Sequence, residues 1–260
     1  KDLSVVKKLR KKHRDDYLSE ATVDDSVIPV GSAEDYRKLR NYYYSLLKLM
    51  DMIHYNSSVT RSVYESVFDL PQHCLVAITH ADINDNRRIK EFSDGRLHIR
   101  YLGPQSGSKG YFLLKKALDQ LWEKEKEFCL DVHFRPIEMA PYIEVHPRYA
   151  YGELETIFEQ TDILVTPSIW FETFGFTVLE ALSYGVPVVI SGTVGAKDIL
   201  ADGAGIIVDD ITSDRLCNVL KNLTTADLRK MNENIVRKQP IMQIETMSMK
   251  IETDCYGWNL

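Results

Sequence analysis

The chain of 260 residues is 44% hydrophobic and 27% charged, with 32 basic against 38 acidic side chains and a net charge of -6. The length suggests one or two domains, and the apolar share supplies a sizeable core and excludes wholesale disorder. The acidic balance makes sequence-independent nucleic-acid binding a poor expectation, and a local basic patch remains the only route to it. The longest apolar stretch is broken by Glu172, Glu180 and two prolines, short of the roughly 20 residues of a membrane span, and no apolar leader follows Lys1.

Residues 1–36 are charged and irregular. Their basic run, residues 7–14, reads as a solvated helix face or, alternatively, as a contact for an anionic surface. Tyr42, Tyr43, Leu46, Leu47 and Met50 recur at helical spacing; the run Tyr42–Tyr44 reads as core plus surface rather than as a base-stacking platform. A strand-like piece over 52–55 follows, and Ser57 or Ser58 is placed to cap a helix running to about Phe68. Residues 75–78 read as a buried strand and 79–96 as a polar linker. Asp82, Asn84 and Asn86 have the alternate spacing of a calcium loop, but Arg87 and Ser93 stand where its glycine and last glutamate belong, which excludes an EF-hand.

From Leu97 onward, strands and helices alternate. Strands are predicted over 97–102, 130–134, 142–145, 163–165, 186–190 and 205–208. Helices are predicted over 109–122, 151–160, 174–184, 196–201, 213–223 and 226–237. This alternation predicts an α/β fold, a parallel sheet with helices on both faces, whose ligands bind at the strand carboxyl ends. Cys74, Cys129, Cys217 and Cys255 form no CxxC pair and read as reduced thiols of an intracellular protein. The seven histidines show no HExxH or paired spacing, so no zinc site is expected. Asp209-Asp210 reads as a turn acid.

Two segments carry chemistry. In the first, RYLGPQSGSKGYFLL, Gly103, Gly107 and Gly110 let backbone amides approach an anion, and Lys109 adds a full charge at a helix start. Taken alone the signal is weak, and an ordinary strand-to-helix turn with an exposed lysine is the simpler reading of it. In the second, TPSIWFETFGFTVLEALSYGVPVV, Glu172 precedes a helix opened by Thr173-Phe174-Gly175, with Glu180 two turns deeper. The carboxylates can accept hydrogen bonds from ligand hydroxyls while the free amides near Gly175 hold an anion. The competing reading is a solvated stripe of an amphipathic helix, with Thr177, Ser183 and Tyr184 on the same face as Glu180.

These motifs, with SGTVGAKDILADGAGIIV after them, resemble the retaining GT-B glycosyltransferases of the family-four (group 1) type, mainly their C-terminal nucleotide-sugar-binding domain. The pattern Glu172-x7-Glu180 is the most specific mark, and GPQSGSKG resembles the family's phosphate loop. The resemblance implies a Rossmann-like GT-B fold with a partial second (acceptor) domain. Residues 1–90 would end the N-terminal acceptor domain, 91–224 would form the donor domain, and 225–260 would be helices packing back toward the N-terminal part. It implies Lys109 on the donor diphosphate and Glu172 on the donor sugar, the pair assigned to catalysis. Gly103, Gly107 and the amides of Thr173, Phe174 and Gly175 would add donor contacts, with Glu180 on the ribose. No metal or other cofactor is implied; the donor would be UDP- or GDP-linked and the acceptor a saccharide or lipid-linked glycan in polysaccharide synthesis. The setting implied is the cytoplasm or the inner face of the membrane, with peripheral membrane contact open.

Two departures stand out. Pro104 occupies the place of the family's phosphate-binding arginine and offers neither charge nor N–H; Arg148 is the substitute considered. Residues 1–96 match only the end of an acceptor domain, so the chain reads as part of a larger enzyme. A nucleotide-sugar epimerase and a non-catalytic nucleotide-binding partner of a transferase remain the alternatives.

Overall fold

The computed structural model describes residues 32–92, 95–123 and 127–257; the basic run at 7–14 lies outside them. Helix α1 (Ala33–Leu47) is closed at its start by a Ser32–Asp35 capping box. Strand β1 (Ile53–Tyr55) leads to α2 (Ser58–Glu65), capped by Ser57, and to β2 (His73–Leu75), which pairs with β1 in parallel. The aromatic stripe of α1 forms no core. Tyr42, Tyr43 and Leu46 are exposed; Tyr42 and Tyr43 meet edge-on, and Tyr44 stacks on Phe68.

The main sheet is built from β3 (Leu97–Tyr101), β4 (Phe128–Val132), β5 (Ile143–Val145), β6 (Ile163–Thr166), β7 (Val188–Ser191) and β8 (Gly205–Val208). Its strand order is β5-β4-β3-β6-β7-β8 and every pairing is parallel. The order therefore reverses between β3 and β6, which opens a crevice beyond their carboxyl ends. On one face α3 (Tyr111–Trp122) packs against α6 (Ser213–Asn222) through Leu114, Leu118 and Leu121 against Leu216 and Leu220. On the other, α4 (Leu154–Glu159) and α5 (Phe176–Ser183) bury Leu154, Phe158, Val178 and Leu182. The wound α/β arrangement is the one the alternation predicts, with strand and helix ends shifted by one or two residues.

The described residues of the polar segment 79–96 form no helix or strand, yet they are no loose linker. Lys90 Nζ donates to the carbonyls of Glu159 and Thr161 at the end of α4, and burial pulls its ammonium down to about 8. Asn232, on α7 (Thr225–Lys238), ties the same segment down at Lys90 N and Arg88 O.

The last helix, α8 (Ile244–Tyr256), packs on β1 and β2, and Cys255 is disulfide-bonded to Cys74. This corrects the expectation of four reduced thiols; Cys129 and Cys217 are the two outside a disulfide. The bonded pair is separated by 181 positions, so no local spacing could reveal it. A link closing so long a loop removes much unfolded-state entropy, typically about 2–4 kcal/mol. Melting curves with and without a thiol reductant should differ by several degrees, and identical curves would show that the link contributes nothing.

Candidate functional site at the switch point

The loop after β3 and the loop after β6 meet where the strand order reverses. Gly110, the N-cap of α3, has φ 77°, and a Cβ there would come within 1.9 Å of the Pro167 carbonyl oxygen. Only glycine lets the two loops approach so closely. Across this contact the Ser108 carbonyl accepts from the amides of Ile169 and Trp170 and from Ser168 Oγ. The phosphate-loop candidate and the glutamate loop are thereby locked together.

The lock sets one ion pair in the crevice. Lys109 Nζ lies 2.5 Å from Glu172 Oε1, which also accepts from Ser168 Oγ at 3.0 Å. Lys109 stands just before the helix cap rather than inside the helix, with its side chain 41% exposed, whereas Glu172 is 15% exposed. The Glu172 backbone is pinned from the far side, its amide donating to the Thr193 carbonyl and its carbonyl accepting from Gly195 N. Among the described residues, the amides of Thr173, Phe174 and Gly175 donate to no backbone carbonyl, and they lead into the start of α5. The Phe174 ring itself is core, packed with Ile83 and Leu179.

Gly103 and Gly107 lie in the loop as expected. Gly103 passes under the Tyr101 ring, whose hydroxyl donates to the Pro104 carbonyl at 2.8 Å and so fixes the loop's first turn. Tyr101 read only as a strand residue in the sequence. A cavity of about 350 Å³ opens here, lined by Gly103, Pro104, His133, Arg135, Arg148 and Tyr149 among others. Arg148 thus shares a cavity with Pro104, although 44 residues separate them in the chain.

Glu180 is no part of a solvated stripe. Its side chain is 12% exposed, and burial pushes its carboxyl up to about 7. His80 Nε2 sits 3.6 Å from Glu180 Oε1, outside hydrogen-bond range. Burial also pulls the His80 imidazole below its ordinary value. His80 was passed over in the sequence because it lies in the polar segment; its ring packs edge-on against Tyr151 and Phe176.

This fold is of the GT-B glycosyltransferase type. Residues 138–239, about two fifths of the chain, match the family described as Glycosyl transferases group 1. A D-inositol 3-phosphate glycosyltransferase of Paenarthrobacter aurescens is 34% identical over 125 residues, 44% of this chain and 30% of that protein. An uncharacterized 41.2 kDa protein in the cps region of Klebsiella pneumoniae is 27% identical over 150 residues, 54% of this chain and 39% of that protein. Among solved structures, sucrose-phosphate synthase from Thermosynechococcus elongatus matches with a TM-score of 0.66 at 15% identity, over 87% of this chain and 63% of that one. Anabaena HepE in complex with UDP and glucose matches with a TM-score of 0.64 at 14% identity, over 83% of this chain and 66% of that one. The chain therefore spans about two fifths of the Klebsiella protein and less than two thirds of either solved structure. No described helix is long and apolar enough to cross a membrane.

Proposed function

We propose that this chain is the donor-binding part of a retaining glycosyltransferase that moves a sugar from a nucleoside diphosphate sugar to a hydroxyl acceptor in glycan or polysaccharide synthesis. The observation that carries this reading is the Lys109–Glu172 pair at the sheet's switch point, a cation and a hydroxyl-binding carboxylate set side by side. In this reading the diphosphate lies against Lys109 and the amides of Thr173–Gly175, so its charge is met without a metal. Glu172 takes the sugar hydroxyls and Glu180 the ribose, while Arg148 supplies the cation that Pro104 lacks. Neither glutamate acts as a general base. The acceptor attacks from the face the nucleotide leaves, and the departing phosphate takes the acceptor's proton. The protein contributes positioning and stabilises charge on the leaving group. The UDP complex of Anabaena HepE favours a uridine donor, and the cps-region relative favours a polysaccharide product.

Lys109→Ala should weaken nucleoside diphosphate binding by about 1.5–3 kcal/mol, the worth of a charged hydrogen bond. The melting temperature should barely move, because the side chain is substantially exposed. Unchanged binding in calorimetry would remove Lys109 from the phosphate site.

The reaction itself is tested by incubating the full-length protein with UDP- and GDP-sugars and saccharide or lipid-linked acceptors. The expected product is a glycoside with the donor's anomeric configuration. An epimerised nucleotide sugar formed without acceptor would identify an epimerase instead. Nucleotide binding with neither product would indicate a non-catalytic partner.

A further inference from the structure

One face of the main sheet is polar at the β3–β5 flank, where a parallel sheet covered on both sides is ordinarily apolar. His98 and Arg100 of β3, Cys129 and Asp131 of β4, and Glu144 and His146 on and after β5 gather there. The register sets His98 beside Cys129, and Asp131 between Arg100 and Glu144. Cys129 and Asp131 are buried, while the side chains of His98 and His146 are 40% and 30% exposed, so the cluster opens to solvent.

Three donor atoms converge. His98 Nδ1 lies 3.1 Å from Cys129 Sγ and 3.3 Å from Asp131 Oδ2, and Sγ lies 3.6 Å from that same oxygen. Tetrahedral zinc with bonds of about 2.0–2.3 Å places neighbouring ligand atoms roughly 3.3–3.8 Å apart. The three atoms therefore outline one face of such a tetrahedron, and an ion about 2.1 Å from each would sit just off their plane. The other carboxylate oxygen, Asp131 Oδ1, is 2.6 Å from His146 Nε2, a contact able to orient a ligating carboxylate.

We propose that His98, Cys129 and Asp131 bind one divalent cation of the zinc class, with the fourth position open to water on the solvent side. Thiolate and imidazole ligands select such a cation over magnesium or calcium. On binding, the Cys129 S–H bond breaks, its proton passes to solvent and a sulfur–metal bond forms, with no change of oxidation state. Arg100 Nη1, 3.9 Å from Asp131 Oδ1, supports the rival arrangement, a metal-free network in which Arg100 and the histidines alone offset the buried carboxylate. The ligands come from two strands, with Cys129 and Asp131 lying 31 and 33 residues beyond His98, which is why the sequence promised no zinc site. The site lies within the strands rather than in the donor loops beyond their carboxyl ends, so the donor reading stands whatever its fate.

The test is titration of the disulfide-bonded protein with zinc by calorimetry and with cobalt(II) by absorbance. One ion per chain, proton release and a cobalt–thiolate charge-transfer band are expected. Cys129→Ser should abolish the band. His98→Ala, at a half-exposed position that preserves the fold, should lower zinc affinity at least a hundredfold, and His146→Gln about 10–100-fold. Cys217→Ser should leave the cobalt band and the zinc affinity unchanged. Absence of saturable binding establishes the metal-free network, and full-strength binding in either Cys129→Ser or His98→Ala also overturns the proposal.

Discussion

Glu180→Gln is expected to stabilise the empty protein above neutral pH while weakening its grip on nucleotide. The Glu180 carboxyl sits at about 7 in the fold against an ordinary 4.5. The folded state therefore prefers the proton, because desolvation penalises the charged form. Below the ordinary value the unfolded and folded chains are both protonated and the penalty vanishes. It grows as pH rises from 4.5 and is complete above 7. Glutamine carries no charge to desolvate, so at pH 8 the variant should be more stable by up to about 3 kcal/mol, and at pH 4 about equal to wild type. Binding runs the other way. An ionised carboxylate can accept both hydroxyls of a ribose, and the amide oxygen does so more weakly, at a loss of about 1.5–3 kcal/mol, roughly ten- to a hundredfold. Wild-type nucleotide affinity should also rise between pH 6 and 8 as the carboxylate ionises, and the variant's should stay flat. Denaturant unfolding at pH 4 and 8 with nucleotide titrations at pH 6 and 8 checks all of this. Destabilisation at pH 8 with unchanged binding would make Glu180 a structural residue only.

Glu172→Gln should separate sugar from nucleotide. The substitution keeps the shape and leaves one oxygen for Ser168, but it dissolves the ion pair with Lys109. Lys109 is then free to turn to a diphosphate, so affinity for the free nucleoside diphosphate should hold or rise slightly. The sugar conjugate loses a charged hydrogen bond to its hydroxyls and should bind about ten- to a hundredfold more weakly. Dissociation constants for both ligands with both proteins check the point. Equal losses for both ligands would move Glu172 off the sugar, and no loss for either would remove it from the site.

The central strands β6 and β7 were legible because burial on both sheet faces leaves continuous apolar runs, and the helices from Leu97 onward interrupt the strands at regular spacing. The Lys109 and Glu172 loops were legible because glycine and charge at a helix start are local signals. The disulfide, the Tyr101 brace and the His80–Glu180 contact were not, since each joins a residue to something set by the fold rather than by spacing; Arg148 was named beside Pro104 through the family resemblance, and the fold places both on one cavity. The aromatic stripe of α1 misled in the opposite sense, because helical periodicity marks an apolar face without naming what covers it.

The central claim is that a nucleoside diphosphate sugar occupies the crevice between the β3 and β6 loops, and a thermal-shift panel tests it most directly. A ligand at a hundred times its dissociation constant stabilises the folded state by about 2.7 kcal/mol, a readable rise in melting temperature. At least one UDP- or GDP-sugar should give that rise in wild type and a much smaller one in Lys109→Ala, and the matching free sugar should give none. A panel in which no nucleotide sugar shifts the transition, or in which Lys109→Ala responds like wild type, would contradict the account.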